Sequence, residues 1–346
     1  MLMNTKLTLT HWCARLLFCL TLCAVNALAA DPGASYPAQS MVSDQKAGSL
    51  LVYNVYTSNA SDQNKVNSRL SITNTSRTAS VTAHLFFIDG ASCSVADALV
   101  CLTPNQTIGY LASDIDPGVT GFLIAVAVDS SNGMPINFNH LIGDAYVCLS
   151  SGHIGSLAAE ALAAVFDESD EYDGSAGSAT LWFDGSGRPN SYNPLPRTLA
   201  ADNLSSRATG STQYLIVNRI GGDLSGTAAS VGTLFGLLFD DTEHAYSFNL
   251  SSPYCQLAGE LSNSFPRTAP RLETVIPAGR SGWMRFNDFA TDGGILGAMF
   301  ELHPTTNYAP NAFYGGHNLH KLSFNLSNAG QANAPRLVIP IFPPAC

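Results

Sequence analysis

The chain is 346 residues long, 46% hydrophobic and only 12% charged, with a formal net charge of -10. That balance excludes a disordered chain, because it holds enough apolar side chains to offset roughly 1 to 2 kcal/mol of backbone entropy per residue. Lys and Arg total 16 against 26 Asp and Glu, so no basic field exists to draw a nucleic acid or an anionic membrane surface.

Residues 1–30 contain no acid, carry Lys6 and Arg15, run through an apolar block from Leu16 to Val25, and close on Ala27-Leu28-Ala29-Ala30. The pattern predicts a secretory signal peptide cleaved after Ala29 or Ala30, since the block is shorter than the roughly 20 residues that span a bilayer. Cys19 and Cys23 raise a lipoprotein reading, which the bulky Phe18 and Leu22 before them disfavour. No later stretch is apolar for long enough to cross a membrane as a helix. The expectation is an exported protein, secreted or periplasmic, with 31–48 as an N-terminal tail.

From Leu50 onward, short apolar runs are broken by Gly, Pro, Asn, Asp and Ser. Leu70 and Ile72 alternate with Ser71 and Thr73, His84 to Ile88 stops at Asp89-Gly90, and Gly121 to Val128 stops at Ser130-Ser131-Asn132-Gly133. Each reads as a strand and a turn. Phe122 to Val128 is too continuous for a one-sided strand and predicts an inner layer covered on both faces. A first unit therefore spans 49–166, and its end, 154–166, reads as a short helix: Ser156 caps a run of Leu, Ala and Glu.

Next comes the acidic stretch Asp167 to Asp173, then Gly-, Ser- and Pro-rich segments around Leu181-Trp182-Phe183. Residues 167–200 are the expected junction, and 201–346 the second unit. The two units share patterns. Gln213 to Asn218 matches Arg69 to Asn74, and Leu237-Leu238-Phe239-Asp240 matches Phe86-Phe87-Ile88-Asp89, with Cys255 following Asp240 much as Cys101 follows Asp89. Pro104 to Gly121 has the spacing of Pro277 to Gly294, after which Phe122 to Ala125 faces Ile295 to Ala298, and Asn139-His140-Leu141 faces Gly316 to Leu319. The predicted fold class is all-β: two tandem Ig-like sandwiches, duplicated, with one short helix near the junction.

Export permits disulfides. Cys93 and Cys101 are close enough to staple a hairpin, Cys255 is the partner available to Cys346, and Cys148 is left as a buried free thiol or an intermolecular link. No C-x-x-C supports redox catalysis or a thiolate zinc site.

The search for other chemistry is largely negative. Gly222-Asp223-Leu224-Ser225-Gly226 has the wrong spacing for a nucleophile elbow, and Walker A, Gly-x-Gly-x-x-Gly and His-Glu-x-x-His patterns are absent. His317 and His320, three apart on a helix, could share one metal ion but lack a third ligand, and a histidine bonded to backbone is the plainer reading. Asp167, Asp170 and Asp173 invite calcium without fitting an EF-hand, against a solvated linker. Trp182, Trp283 and Tyr314, among the aromatics of the second half, are candidates for gripping a sugar, although most such rings belong in a core.

The strings Ile72 to Ser76, His84 to Gly90, Leu102 to Thr107, Pro135 to Asn139, Leu141 to Asp144, Ile276 to Trp283 and His317 to Lys321 resemble a group of exported bacterial proteins of unknown function. The resemblance covers most of the chain after the signal. It implies export and a β fold, and it carries no catalytic or binding residue to transfer.

Three functions stand in order: a non-catalytic exported sandwich with a binding or surface-structural role, a carbohydrate-binding protein, and a hydrolase with residues dispersed among loops. The first two imply a glycan or cell-surface component as partner. No cofactor is expected beyond the calcium possibility.

Overall fold

Two kinds of strand are visible in the burial of their side chains. In β2 (Asn67–Asn74) and β7 (Leu141–Cys148) alternate residues are buried, whereas β1 (Leu50–Thr57), β3 (Val81–Asp89) and β6 (Thr120–Val128) are buried almost throughout. Alternation marks a strand with one dry face, and continuous burial marks a strand between two apolar layers. The protein is described here by a computed structural model, which covers residues 42–167, 177–290, 294–303, 314–324 and 335–343, all within one unit, Met41–Cys346. Residues 1–41, which hold the expected signal segment and the first part of the expected tail 31–48, lie outside the described residues.

The fold is all-β. In the first sandwich, one sheet has the order β4 (Val95–Leu102), β3, β6, β1, β9 (Glu160–Leu162). The other has the order β5 (Thr107–Leu111), β2, β7, β8 (Ile154–Ala158). Between them pack Leu51, Tyr53, Leu70, Ile72, Leu85, Phe87 and Leu123.

The second sandwich repeats this order strand for strand. Its five-stranded sheet runs β16 (Ala245–Ser252), β15 (Gly232–Asp240), β18 (Ser281–Asp288), β11 (Pro196–Ser205), β21 (His320–Phe324). Its four-stranded sheet runs β17 (Gln256–Glu260), β12 (Thr212–Arg219), β19 (Ile295–Leu302), β20 (Tyr314–Asn318). Leu199, Leu215, Val217, Leu234, Leu238, Met284 and Phe286 fill the space between.

Local detail matches too. β1 has a register shift between Tyr53 and Tyr56 where it pairs with β6, and β11 has one between Ala201 and Leu204 where it pairs with β18. Gly121 lies opposite Asp89, and Gly282 opposite Asp240. A Cβ on Gly121 would sit 1.8 Å from the Ile88 carbonyl oxygen, and one on Gly282 would sit 2.5 Å from that of Phe239. Only glycine permits either approach.

A third sheet, β10 (Ser178–Trp182), β22 (Arg336–Pro340), β13 (Gly222–Asp223), β14 (Thr227–Ala228), is built from the junction, the chain's end and a loop of the second sandwich. It covers the outer face of the first sandwich's five-stranded sheet. Leu181, Phe183, Leu337 and Ile339 pack there with Phe86, Ile88, Phe122, Ile124 and Val126. This is the double cover expected for 122–128.

Several expectations are corrected. Residues 154–166 form β8 and β9, not a helix: burial alternates along β8, β9 is buried throughout, and pairing with β7 and β1 overrides the helix propensity of Ala and Leu. Among the described residues the only α-helices are the four-residue turns Ala112–Ile115 and Leu272–Val275. Cys93 bonds to Cys255, at a Cα separation of 5.4 Å, rather than to Cys101. Cys255 is thus not available to Cys346, which lies outside the described residues, and Cys101 is itself disulfide-bonded. Gln213 to Asn218 and Arg69 to Asn74 do occupy matching strands, but one residue out of register. The Thr57 N–H donates to Ser68 Oγ as the Ser205 N–H does to Gln213 Oε1, so Ser68 matches Gln213. The spacing from Pro104 to Gly121 and from Pro277 to Gly294 is coincidental. Gly121 opens β6, whereas Gly294 precedes β19, which takes the place of β7. Phe122 to Ala125 and Ile295 to Ala298 likewise lie on non-matching strands, as do Leu141 and the segment from Gly316 to Leu319.

Where the sandwiches meet, Ile216, Ala298 and Phe300 join the apolar core of the first, and a buried polar contact lies beside them. Asn54 Nδ2 donates to Asn318 Oδ1 at 2.9 Å and to the Gly297 carbonyl at 3.1 Å, while Asn218 Nδ2 donates to the Asn54 carbonyl at 2.8 Å. Lys321 Nζ lies 2.6 Å from Glu160 Oε2. The bonded asparagines favour this arrangement over alternatives that would strand their polar atoms.

Candidate functional site

The outer face of the second five-stranded sheet is where the two sandwiches part company. On β15 the outward residues are Phe235, Leu237 and Phe239, and on β18 they are Trp283, Arg285 and Asn287. They meet across the strands as Phe239 with Trp283, Leu237 with Arg285 and Phe235 with Asn287. The matching pairs of the first sandwich are Ile88 with Phe122, Phe86 with Ile124 and His84 with Val126. All six of those are at most 1% exposed.

In the second sandwich the same positions are only partly covered, Arg285 is exposed, and Phe289 just beyond β18 is 63% exposed. Phe235 lies 6.2 Å from Phe289 between ring centres, and the Arg285 guanidinium sits 5.7 Å over the Phe239 ring. Ser247 and Asn249 of β16, opposite Leu237 and Phe235, give the face a polar margin. The Phe239 and Trp283 rings stack with centres 4.5 Å apart and planes 8° apart.

The buried counterpart His84 shows what covering does. Its Nε2 lies 3.0 Å from Asp97 Oδ2, and burial lowers its pKa despite that carboxylate.

Of the sequence-derived candidates, Trp283 belongs to this face. Trp182 sits on the third sheet with the Arg188 guanidinium 3.7 Å from its ring centre, so one flat face is occupied. Tyr314 pairs with Leu302 on β20, and its side chain lies outside the described residues. His317 and His320 are not on a helix. They fall on β20 and β21, with ring centres 6.3 Å apart and Nε2 atoms 3.7 and 3.2 Å from Asp202 Oδ1. Among the described residues no three such side chains, these included, are arranged so that they could hold a metal ion. His140 meets the Phe138 ring edge-on at 5.3 Å. Asp167 is exposed, and Asp170 and Asp173 lie outside the described residues. Cys148 is a free thiol whose pKa burial raises.

One cluster was missed entirely. Ser211 Oγ lies 2.7 Å from His303 Nδ1, and His303 Nε2 lies 3.5 Å from Glu301 Oε2, which is the nucleophile, base and orienter of an acyl-transfer enzyme in kind. Ser211 is only 4% exposed, however. Glu301 is also held by Gln213 Nε2 at 2.8 Å. Three described cavities, around Arg267, Thr103 and Gly221, are not lined by any member of the cluster. The geometry is that of a part-buried polar row at the end of β19 with its serine covered. No sequence signal pointed to it, because its members are 92 residues apart.

The aromatic face was half legible. The apolar run Leu237 to Phe239 resembles Phe86 to Ile88 and reads as doubly covered, while Arg285 in mid-strand is the one sign that no second layer lies above. Comparison with protein-family models, with curated proteins and with solved structures finds no match.

Proposed function

We propose that this is an exported, non-catalytic sandwich protein that works by association, with the outer face of β16, β15, β18 and β11 as its docking surface and a second copy of the chain as the partner. The observation that carries this reading is the contrast at matched positions. A face that the first sandwich dries under a β layer is left open in the second, bearing Phe235, Phe239, Trp283 and Phe289 around Arg285. Contiguous exposed apolar surface in a monomer marks an interaction site. Symmetric self-association is the commonest way for such a face to be covered, and the chain already covers its own first sandwich with β structure. The common strand order and bulge position support descent of both units from one duplicated sandwich.

Carbohydrate recognition is less well supported at this face, because a pyranose packs on the flat of a ring, one flat of Phe239 and one of Trp283 are spent on each other, and the Arg285 guanidinium also sits over the Phe239 ring. Hydrolysis is less well supported because Ser211 is buried. Sedimentation velocity across the micromolar range tests the reading. The mature protein should dimerise, and the Phe239→Ser/Trp283→Ser variant, checked for native circular dichroism, should remain monomeric. A wild-type monomer throughout, or a variant that still dimerises, would overturn it.

A further inference from the structure

The second sandwich contains a segment for which the first has no counterpart. In the first, β5 ends at Leu111 and the helical turn begins at Ala112; in the second, β17 ends at Glu260 and the turn begins only at Leu272. The inserted residues, 261–271, wall a groove of about 700 Å³, within the range that encloses a small ligand.

Three of the chain's arginines line it: Arg207, Arg267 and Arg271. Arg207 is held in place by Glu260 Oε1 at 2.6 Å and by the Leu261 carbonyl. Arg267 and Arg271 are exposed and have no ion-pair partner among the described residues. In a chain of net charge -10, that leaves two uncommitted guanidinium groups beside a fixed third. The rest of the wall is short and polar, including Ser262, Asn263 and Thr268. Thr268 is only 6% exposed, and its hydroxyl has no hydrogen-bond partner. A buried hydroxyl left unpaired costs free energy unless something satisfies it.

We propose that this groove binds an acidic saccharide, a sugar unit bearing a carboxylate. Guanidinium groups donate two parallel N–H bonds to the paired oxygens of a carboxylate, acceptors that a neutral sugar cannot offer. Hydroxyl and amide side chains match sugar hydroxyls, and Glu273, whose Oε1 lies 3.8 Å from Arg207 Nε on the same wall, disfavours a second anion, so one carboxylate per bound unit is the fit. The site is separate from the aromatic face and stands or falls apart from self-association.

The test is titration calorimetry on the mature full chain with three probes: an oligogalacturonate, a neutral oligosaccharide of equal length, and inorganic sulfate. The oligogalacturonate should bind, more weakly as salt rises, and the neutral sugar should not. Arg267→Ala/Arg271→Ala should weaken binding at least about tenfold, and Thr268→Val should weaken it by less with the fold intact. Absence of oligogalacturonate binding would overturn the proposal, as would equal binding of the neutral sugar, undiminished binding by the double variant, or sulfate binding as tightly as the uronide.

Discussion

Ile88, Phe122 and Ile124 in one sandwich and Phe239, Trp283 and Arg285 in the other occupy the same places on the same strands, yet the first three are buried and the second three are not. The strands do not differ in order, in bulge or in the glycine that lets β6 and β18 pass their neighbours. What differs is the third sheet, which only the first sandwich has. An identical framework thus yields a structural core in one case and a partly open face in the other, according to what is laid on top. Burying one Phe or Ile fully contributes about 1.5 to 3 kcal/mol, so the covered face is a large part of the first sandwich's stability.

Exchanging residues across the comparison should break it most severely at Ile124. Ile124→Arg places on the covered face the residue that its counterpart Arg285 is, and an unpaired charge there should cost more than about 4 kcal/mol. Urea unfolding or loss of soluble protein would register it. Next is the disulfide, which fastens the first sandwich's β3–β4 turn to the second sandwich. Its half-cystines are 162 residues apart, so the loss in Cys93→Ser/Cys255→Ser should approach about 5 kcal/mol in the chain-entropy account, read as a lowered denaturation midpoint.

A third comparison concerns Glu160 and its counterpart His320, which pair with Val52 and Ala200 on matched strands. Glu160 is buried against Lys321, while His320 faces the exposed Asp202. Burial pushes the Glu160 carboxyl up from 4.5 to about 7, against the pull of Lys321. Because the folded chain keeps this proton where the unfolded chain has lost it, the group's contribution to stability falls as pH rises from about 4.5 to about 7. Lys321→Ala removes the charge that shelters the ionised form. It should therefore cost about 3 kcal/mol near pH 8 and clearly less near pH 5, whereas Asp202→Ala should cost under about 1 kcal/mol at either. The smallest effect is expected of Arg285→Ile, within about 0.5 kcal/mol in stability, with tighter self-association as its signature in sedimentation.

Much of this comparison was legible in the sequence. Phe122 to Val128 announced a doubly covered strand, and the likeness of Leu237–Asp240 to Phe86–Asp89 located β15 against β3. The third sheet was not legible, because its strands come from the junction, from a two-residue pair after Gly221 and from the C-terminal segment, none of them adjacent in sequence. The helix expected at 154–166 failed for a related reason: Ala-rich runs suit a helix locally, and only pairing with β7 and β1 makes them strands. The cysteine pairing failed because nearness along the chain stood in for nearness in space. The inserted groove was invisible until the two sandwiches could be laid strand against strand.

The most direct measurement is hydroxyl-radical footprinting of the protein at rising concentration. Phe235, Phe239, Trp283 and Phe289 should be oxidised in dilute solution and become protected as the protein associates, while Phe86 and Phe122 stay protected at every concentration. Oxidation of Phe122 in the dilute native protein, or labelling of Trp283 that does not change with concentration, would contradict the account.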